Sequence, residues 1–213
     1  MAELYQLRVA LGGVSPLVWR RLLIASETSI AQLHEILQLV FDWSGEHMHR
    51  FHIHGRDYGI SQLGGLVFDE DARQVPLSRF QLHCGERFRY EYDFIANWKL
   101  DIRLEKRLPL DPGRPVPLCT AGRRAAPPED CCGARDYLER LDQHRYPFQD
   151  MAVIAEAVQR LLDSDGDRKA IGDLDELRES VERLEAYHQF QPERFERRQV
   201  NHELRAIHHE VQP

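Results

Sequence analysis

Strict alternation of apolar and polar residues in the first half of the chain is the feature that most constrains the fold. Residues 5–11 carry Tyr, Leu, Val and Leu at every second position, the pattern of a strand with one buried face. Residues 17–24 form a second such run, in which Trp19 alternates with Arg20 in a way that suits a strand with one wet face. The two runs predict a hairpin, and replacing Arg20 by alanine is expected to spare folding.

A helix and a short strand are predicted next. Ser29 and Gln32 form a capping pair, and the apolar residues of positions 30–41 then fall on one face at helical spacing. Residues 49–53 alternate again, with His49 on the apolar side, because side chains two apart on a strand share a face. The helix is expected to pack on the sheet.

Turn residues and a proline-rich stretch divide the middle of the chain. Residues 55–57 predict a turn, and residues 87–93 with 98–107 predict a further antiparallel hairpin. Residues 108–128 contain six prolines and two glycines, which predicts a long ordered loop without a regular element.

Helical spacing dominates the last third. Helices are predicted at residues 134–142 and 151–162, with another capped by Asp173. The predicted fold is α+β, an antiparallel sheet with helices packed on it and a C-terminal helical extension. The predicted domains are an α+β domain at residues 1–145 and a helical extension at 146–213, packed on the same domain.

Composition restricts the class of protein. The chain has 213 residues, of which 42% are hydrophobic and 30% charged, as expected for a soluble globular protein. No apolar run reaches the roughly 20 residues of a membrane span, and the N-terminus lacks the pattern of a signal peptide. We therefore expect a cytoplasmic protein without a membrane partner. The formal net charge of −7 weighs against nucleic acid, which would require a segregated basic patch.

Five local motifs together resemble one family. They are PLVWRR at 16–21, SIAQLHEILQLVFDW at 29–43, HMHRF at 47–51, YEYDF with a following tryptophan at 90–98, and APPEDCCG at 126–133. In this order they resemble the plasmid pRiA4b open-reading-frame-three-like family, whose members are found on bacterial plasmids, chromosomes and insertion elements, some as TnpR-like passenger proteins. The resemblance implies a mobile-element context and no defined chemistry.

This chain departs from the family pattern at one motif. Relatives show Gly-Asp after Tyr-Asp-Phe and a histidine two residues beyond the tryptophan, whereas this chain has Ile95, Ala96 and Leu100 at those positions. Any ion or proton-transfer site built from those groups in relatives is therefore damaged here.

Histidines and one cysteine are the candidate metal ligands. His47 and His49 lie two residues apart on a predicted strand, and His34 lies beside the apolar stripe of the preceding helix. With Cys119 they would supply the four ligands that zinc takes. The alternative is that the histidines are polar core residues and the cysteine a small buried apolar one. No cofactor is expected unless zinc is bound.

Three acidic residues have two interpretations. Asp93 is a candidate acid-base group or ligand, and Glu129 with Asp130 follows two prolines just before a predicted helix. Capping of that helix is favoured over catalysis for the last two. No phosphate-binding glycine loop, nucleophile elbow or HExxH motif is present in the sequence.

Three functions remain open at this point. The leading hypothesis is a non-enzymatic binding or accessory module with a protein partner. The alternatives are a metal-dependent hydrolase acting on nucleic acid or nucleotide and, third, a DNA recombination accessory. The candidate site residues are Trp19, Arg20, Arg21, His34, Trp43, His47, His49, Asp93, Trp98, Glu129 and Asp130.

Overall fold

The computed structural model describes residues 3–61, 65–111, 113 and 115–210, the side chains up to Ala206. Within them, a seven-stranded sheet has the order β4-β3-β5-β6-β1-β2-β7, and every adjacent pair is antiparallel. The strands are β1 Glu3–Leu11, β2 Trp19–Ala25, β3 His49–Ile53, β4 Arg56–Tyr58, β5 Arg87–Tyr92, β6 Trp98–Pro109 and β7 Leu118–Arg123.

Helices account for most of the remaining regular structure. They are α1 Ile30–Phe41, α2 Ala134–Arg145, α3 Phe148–Asp163, α4 Leu174–Gln189 and α5 Arg197–Glu210, with short 3-10 helices at Leu77–Phe80 and Arg168–Ile171. The capping box at Ser29 and Gln32 is present as predicted. The α+β prediction is confirmed. No helix in the described part of the chain is long and apolar enough to cross a membrane.

Two compact units divide the chain. The first comprises Met1–Tyr137 with Glu193–Pro213 and contains the sheet, α1 and α5, while the second is Leu138–Pro192 and contains α3 and α4. The second unit holds thirteen acidic and seven basic residues, so it carries −6 of the net charge of −7. The first unit is therefore almost neutral. The division at residue 145 stays a prediction.

Strand β7 corrects the prediction that residues 108–128 form a long ordered loop without a regular element. Leu118–Arg123 pairs with β2, with a register shift between Arg21 and Leu22. The turn predicted at 55–57 is likewise replaced in part by β4, which pairs with β3. The sequence did not indicate β7, because the prolines on both sides of it predict a loop. The strand with which it pairs, β2, lies about 100 residues away in sequence.

Helix α5 covers the edge of β7. Asn201 Oδ1 accepts from the Cys119 backbone N at 2.7 Å, and its Nδ2 donates to the Cys119 carbonyl at 2.9 Å. Arg197 Nη1 donates to the Thr120 carbonyl at 2.7 Å. A sheet edge exposes unpaired backbone groups that invite pairing with another chain. These side chains satisfy that edge in place of an eighth strand.

The two faces of the sheet differ completely. One face is apolar and buried beneath α1, and its largest side chains include Tyr90, Tyr92 and Trp98, each with no more than 1% of its surface exposed. The other, which we call the open face, carries the alternate residues of each strand. Most of them are polar or charged and half-buried or exposed, while Trp19 is aromatic and Leu23 is buried. The strand alternation seen in the sequence thus corresponds to two environments.

Arg20 lies on the buried face, against the expectation that it can be replaced without affecting folding. It has 2% of its surface exposed, and its Nε donates to the Val40 carbonyl at 2.8 Å. Its Nη1 donates to the carbonyls of Trp19 at 2.9 Å and Arg123 at 3.2 Å. The guanidinium carbon also lies 3.9 Å from the ring centroid of Phe195. Arg20 therefore connects β2, α1, β7 and the segment before α5.

Candidate functional site

The open face carries a line of four arginines across four neighbouring strands. In the register of the sheet, Arg8 of β1 lies opposite Arg21 of β2 and Arg103 of β6, and Arg103 lies opposite Arg87 of β5. At about 4.8 Å between strands, this arginine row extends over about 14 Å. Like charges directly opposite each other destabilise a sheet, so folding alone does not favour this arrangement.

Carboxylates neutralise only part of the open face. Glu105 binds Arg21 through Nε at 2.6 Å, and Glu91 binds Arg50 at 2.6 Å. Asp57 and Asp101 are also engaged in ion pairs with arginines. By contrast, within the described residues no ion pair involves Arg8, Arg87, Arg103 or Lys106. Four cations therefore remain available to an external anion.

Two shallow grooves flank the arginine row. The first has a volume of about 610 Å³ and is lined by Gln6, Arg21, Arg103, Glu105, Lys106, Thr120 and Ala121. The second has a volume of about 850 Å³ and includes Arg50, His52, Arg87, Arg89 and Glu91 in its lining. Because Arg103 of the first groove and Arg87 of the second are register partners, the two grooves adjoin at the Arg87 end of the row.

An aromatic side chain lies at one end of the row. Trp19 is half-buried on β2, and the guanidinium carbons of Arg8 and Arg21 each lie 5.4 Å from its ring centroid. This distance permits cation–π attraction, which favours arginine over other cations beside an indole. The open face thus combines cations with a flat aromatic surface.

On the buried face, a histidine cluster joins α1 to the sheet. The rings of His34 and His49 stack with centroids 3.6 Å apart and planes 7° from parallel. His34 Nδ1 lies 2.8 Å from the Tyr90 hydroxyl, which also accepts from Gln38 Nε2 at 2.6 Å. The Tyr90 hydroxyl thus links the helix to the sheet through two side chains of α1. The Ile60 backbone N donates to His49 Nε2 at 3.4 Å.

Both histidines are held neutral. Burial lowers the pKa of His34 to about 4. Burial, followed by the neighbouring His34, lowers the pKa of His49 to about 3. His49 Nε2 accepts a hydrogen bond from the Ile60 backbone, which protonation of that nitrogen would abolish. Gln38 Oε1 is buried and has no hydrogen-bond partner among the described residues, so the cluster is incompletely satisfied.

The predicted metal ligands are not assembled into one site. His47 is exposed and only its ring edge faces Tyr92, contrary to the inward orientation expected for it. Cys119 lies on β7 and is bound to Asn201 through its backbone. Among the described residues, no group of three or more His, Cys, Asp or Glu side chains could hold a metal ion. A zinc site remains a prediction. It would require His34 and His49 to give up their present hydrogen bonds to Tyr90 and Ile60 in favour of the metal.

The acidic residues within the family motifs make contacts that support the fold. Asp93 has φ 51° and its Oδ1 accepts from the backbone N of Ile95 at 3.0 Å and of Ala96 at 3.3 Å, so it shapes the β5-β6 turn. Glu129 accepts from the Tyr92 hydroxyl at 2.6 Å and the Ser44 backbone N at 2.9 Å. These contacts hold the 126–133 segment against the sheet. Capping of α2 by Glu129 or Asp130, which the sequence favoured, stays a prediction.

Aromatic stacking completes this attachment. Trp43 stacks on Tyr92 with centroids 5.1 Å apart, lies 6.1 Å from Trp98, and donates through Nε1 to the Pro127 carbonyl at 3.1 Å. Gly133 approaches the β5-β6 turn so closely that an added Cβ would lie 2.5 Å from the Ala96 carbonyl oxygen. Asp130 is exposed nearby. These tryptophans are thus core residues and are separated from Trp19 and Arg21 by the sheet.

Sequence reasoning missed most of the open face. Of the predicted site residues, only Trp19 and Arg21 lie there, while Arg8, Arg87 and Arg103 were not singled out. Their alternation with buried residues was visible in the sequence. Their adjacency was not, because it depends on the register of strands up to about 95 residues apart.

Comparisons with known proteins find relatives without an assigned activity. The uncharacterized protein y4hQ of Sinorhizobium fredii is 31% identical over 140 residues, which cover 65% of this chain and 72% of that protein. The crystal structure of MM3350, a protein of unknown function from Methanosarcina mazei Go1, matches with a TM-score of 0.69 and 28% identity. That match covers 93% of this chain and 96% of the other.

A family model matches almost the whole chain. The matched region is residues 3–199, which includes the sheet, the histidine cluster, the 126–133 segment and the start of α5. The resemblance inferred from the five motifs is therefore confirmed. The chain belongs to the plasmid pRiA4b ORF-3-like protein family.

Proposed function

We propose that this protein is a non-enzymatic binding module that holds a polyanionic partner on the open face of its sheet. The observation that carries the proposal is the arginine row, three of whose members have no ion pair within the described residues. Guanidinium groups bind carboxylates and phosphates through paired hydrogen bonds. A row of them offers several such contacts at once.

The distribution of charge removes the main objection to an anionic partner. Thirteen acidic and seven basic residues lie in the second unit, so the overall charge of −7 does not describe the sheet. The linings of the two grooves contain six lysine or arginine side chains and four carboxylates. The electrostatic potential at the binding surface affects the association rate with a charged partner more than the net charge of the whole protein does.

The alternative of a metal-dependent hydrolase finds less support. His34 and His49 are adjacent, but His34 Nδ1 contacts the Tyr90 hydroxyl, His49 Nε2 accepts from the Ile60 backbone, and no third His, Cys, Asp or Glu of the described residues joins them. Asp93 is engaged by the backbone of its own turn. The mobile-element association and the DNA recombination accessory role stay proposals that rest on the family resemblance alone, the second on relatives of TnpR-like type.

The test is titration calorimetry with two simple polyanions, inorganic polyphosphate and poly-L-glutamate, at low ionic strength. We expect the wild-type protein to bind at least one of them, with affinity that falls as salt is added. The double variant Arg87→Glu/Arg103→Glu should weaken binding at least ~30-fold, because two attractive contacts become repulsive.

A matched control separates the open face from total charge. Arg168 and Lys169 are exposed on the 3-10 helix of the second unit, and Arg168→Glu/Lys169→Glu changes the net charge by the same amount. This control should bind within about twofold of the wild type. Equal losses in both double variants, or no binding of either polymer, would contradict the proposal.

A further inference from the structure

We infer that the polyanion held on the open face is a single-stranded nucleic acid. This inference rests on the proposed function and identifies its ligand. It depends on three features of the open face: the direction and spacing of the arginine row, the placement of Trp19, and the pairing of the acids.

The row matches a flexible phosphodiester chain. It runs perpendicular to the strands from Arg21 through Arg8 and Arg103 to Arg87, a length of about 14 Å. A positively charged line of this kind can track the backbone of a single strand, with successive phosphates meeting successive arginines. The unpaired Lys106 extends the basic surface beside Arg103.

Trp19 supplies a surface on which a base can stack. It is half-buried, it lies on the same face as the row, and Arg8 and Arg21 each lie 5.4 Å from its centroid. Stacking on an aromatic side chain between phosphate-binding cations is the general mode of single-strand recognition. The bases of a duplex are already stacked on one another and are not offered to a flat sheet. An acidic polypeptide would form ion pairs with the arginines, but its carboxylates would not stack on the Trp19 indole.

The acidic groups of the open face do not oppose this ligand. Glu105, Asp57, Glu91 and Asp101 each form an ion pair with an arginine of the same face. Their charge is thereby compensated locally, while Arg8, Arg87 and Arg103 form no ion pair within the described chain and, of the three, only Arg8 also interacts electrostatically with Glu105. A phosphate entering above the row thus meets the unpaired cations first.

The experiment is fluorescence anisotropy with labelled 15-nucleotide oligo-dT and oligo-U, a 15-base-pair duplex, and poly-L-glutamate as competitor. For the wild-type protein we expect both single strands to bind at least ~10-fold more tightly than the duplex. The logarithm of affinity should fall linearly with the logarithm of salt concentration, and Arg87→Gln/Arg103→Gln should reduce that slope by about 1.4. Arg168→Gln/Lys169→Gln should leave it unchanged.

Trp19 provides the discriminating variant. Trp19→Leu should weaken single-strand binding about tenfold without altering the salt slope, because stacking contributes no counterion release. Should that variant fold poorly, intrinsic fluorescence of the wild type replaces it. Trp43 and Trp98 are buried, so quenching by oligo-dT but not by polyphosphate reports contact with Trp19.

The outcomes separate the inference from the proposed function. Tight binding of poly-L-glutamate without binding of oligonucleotides overturns the inference and leaves the binding module standing. Equal affinity for duplex and single strand, with no effect of Trp19→Leu and no quenching, also overturns it. If no polyanion binds at all, the inference and the proposed function both fail.

Discussion

Arg20 and Arg21 are neighbours on β2, yet they lie on opposite faces of the sheet and in opposite environments. Arg20 is buried, donates to backbone carbonyls of three elements, and has a pKa lowered to about 10 because burial penalises its charge. Arg21 is half-buried on the open face and pairs with Glu105, which raises its pKa. The same type of side chain thus contributes to the core in one position and to the proposed binding surface in the next.

The whole sheet repeats this difference. Its buried face contains the histidine cluster and the stacked tryptophans, where polar groups are held neutral or bonded to the backbone. Its open face contains opposed arginines whose charge is incompletely compensated. Polar residues on the first face, with the exception of Gln38 Oε1 and Trp98 Nε1 among the described atoms, have partners within the fold, whereas several cations on the second have no ion pair within the described residues.

The largest expected effect separates the two arginines of β2. Arg20→Met should lower the free energy of unfolding by about 4 kcal/mol, since buried carbonyls of α1 and β7 lose their donor. Arg21→Met should cost less than about 1 kcal/mol, the range of a partly exposed salt bridge. Urea unfolding of both variants measures the difference. Similar losses for the two would show that the buried contacts of Arg20 do not stabilise the fold.

A pH titration tests the buried face alone. His34 and His49 have pKa values of about 4 and 3 in the folded chain, below the ordinary 6.5, so the unfolded chain binds more protons between these values. Stability is therefore complete above pH 6.5 and falls as the pH is lowered. At pH 5.5 the loss should be about 1.4 kcal/mol for each histidine, relative to pH 8.

His49→Phe sharpens this test, because it keeps an aromatic ring beside His34 while removing one titrating group. The change in stability between pH 8 and pH 5.5, measured by urea unfolding at each pH, should fall to about half that of the wild type. An undiminished pH dependence in this variant would assign the effect to other groups.

The smallest effect concerns the open face. Arg103→Thr removes the like-charge contacts with Arg8 and Arg87 and should raise the free energy of unfolding by about 0.5 kcal/mol at low salt. The gain should shrink at high ionic strength, because exposed charges are screened. Thermal unfolding at two salt concentrations measures it. A loss of stability would mean that Arg103 serves the fold rather than a ligand.

The sequence predicted much of the fold and little of the site. Alternation predicted β1, β2, β3, β5 and β6, and helical spacing with the Ser29 cap predicted α1, because each signal is local. Strand β7 was missed because its pairing with β2 outweighs the surrounding prolines. The inward position of His49 was correctly predicted, whereas His47 falls before the strand begins and is exposed.

Residue chemistry and strand parity were thus determined by the sequence alone. It placed His49, Phe51 and Ile53 on one side of β3 because side chains alternate along any strand. Only the tertiary structure decided that Arg20 is enclosed by backbone carbonyls, that His34 stacks on His49, and that four arginines from distant segments form a row. The physical reason is that register and burial depend on which strands become neighbours, and no local pattern carries that information.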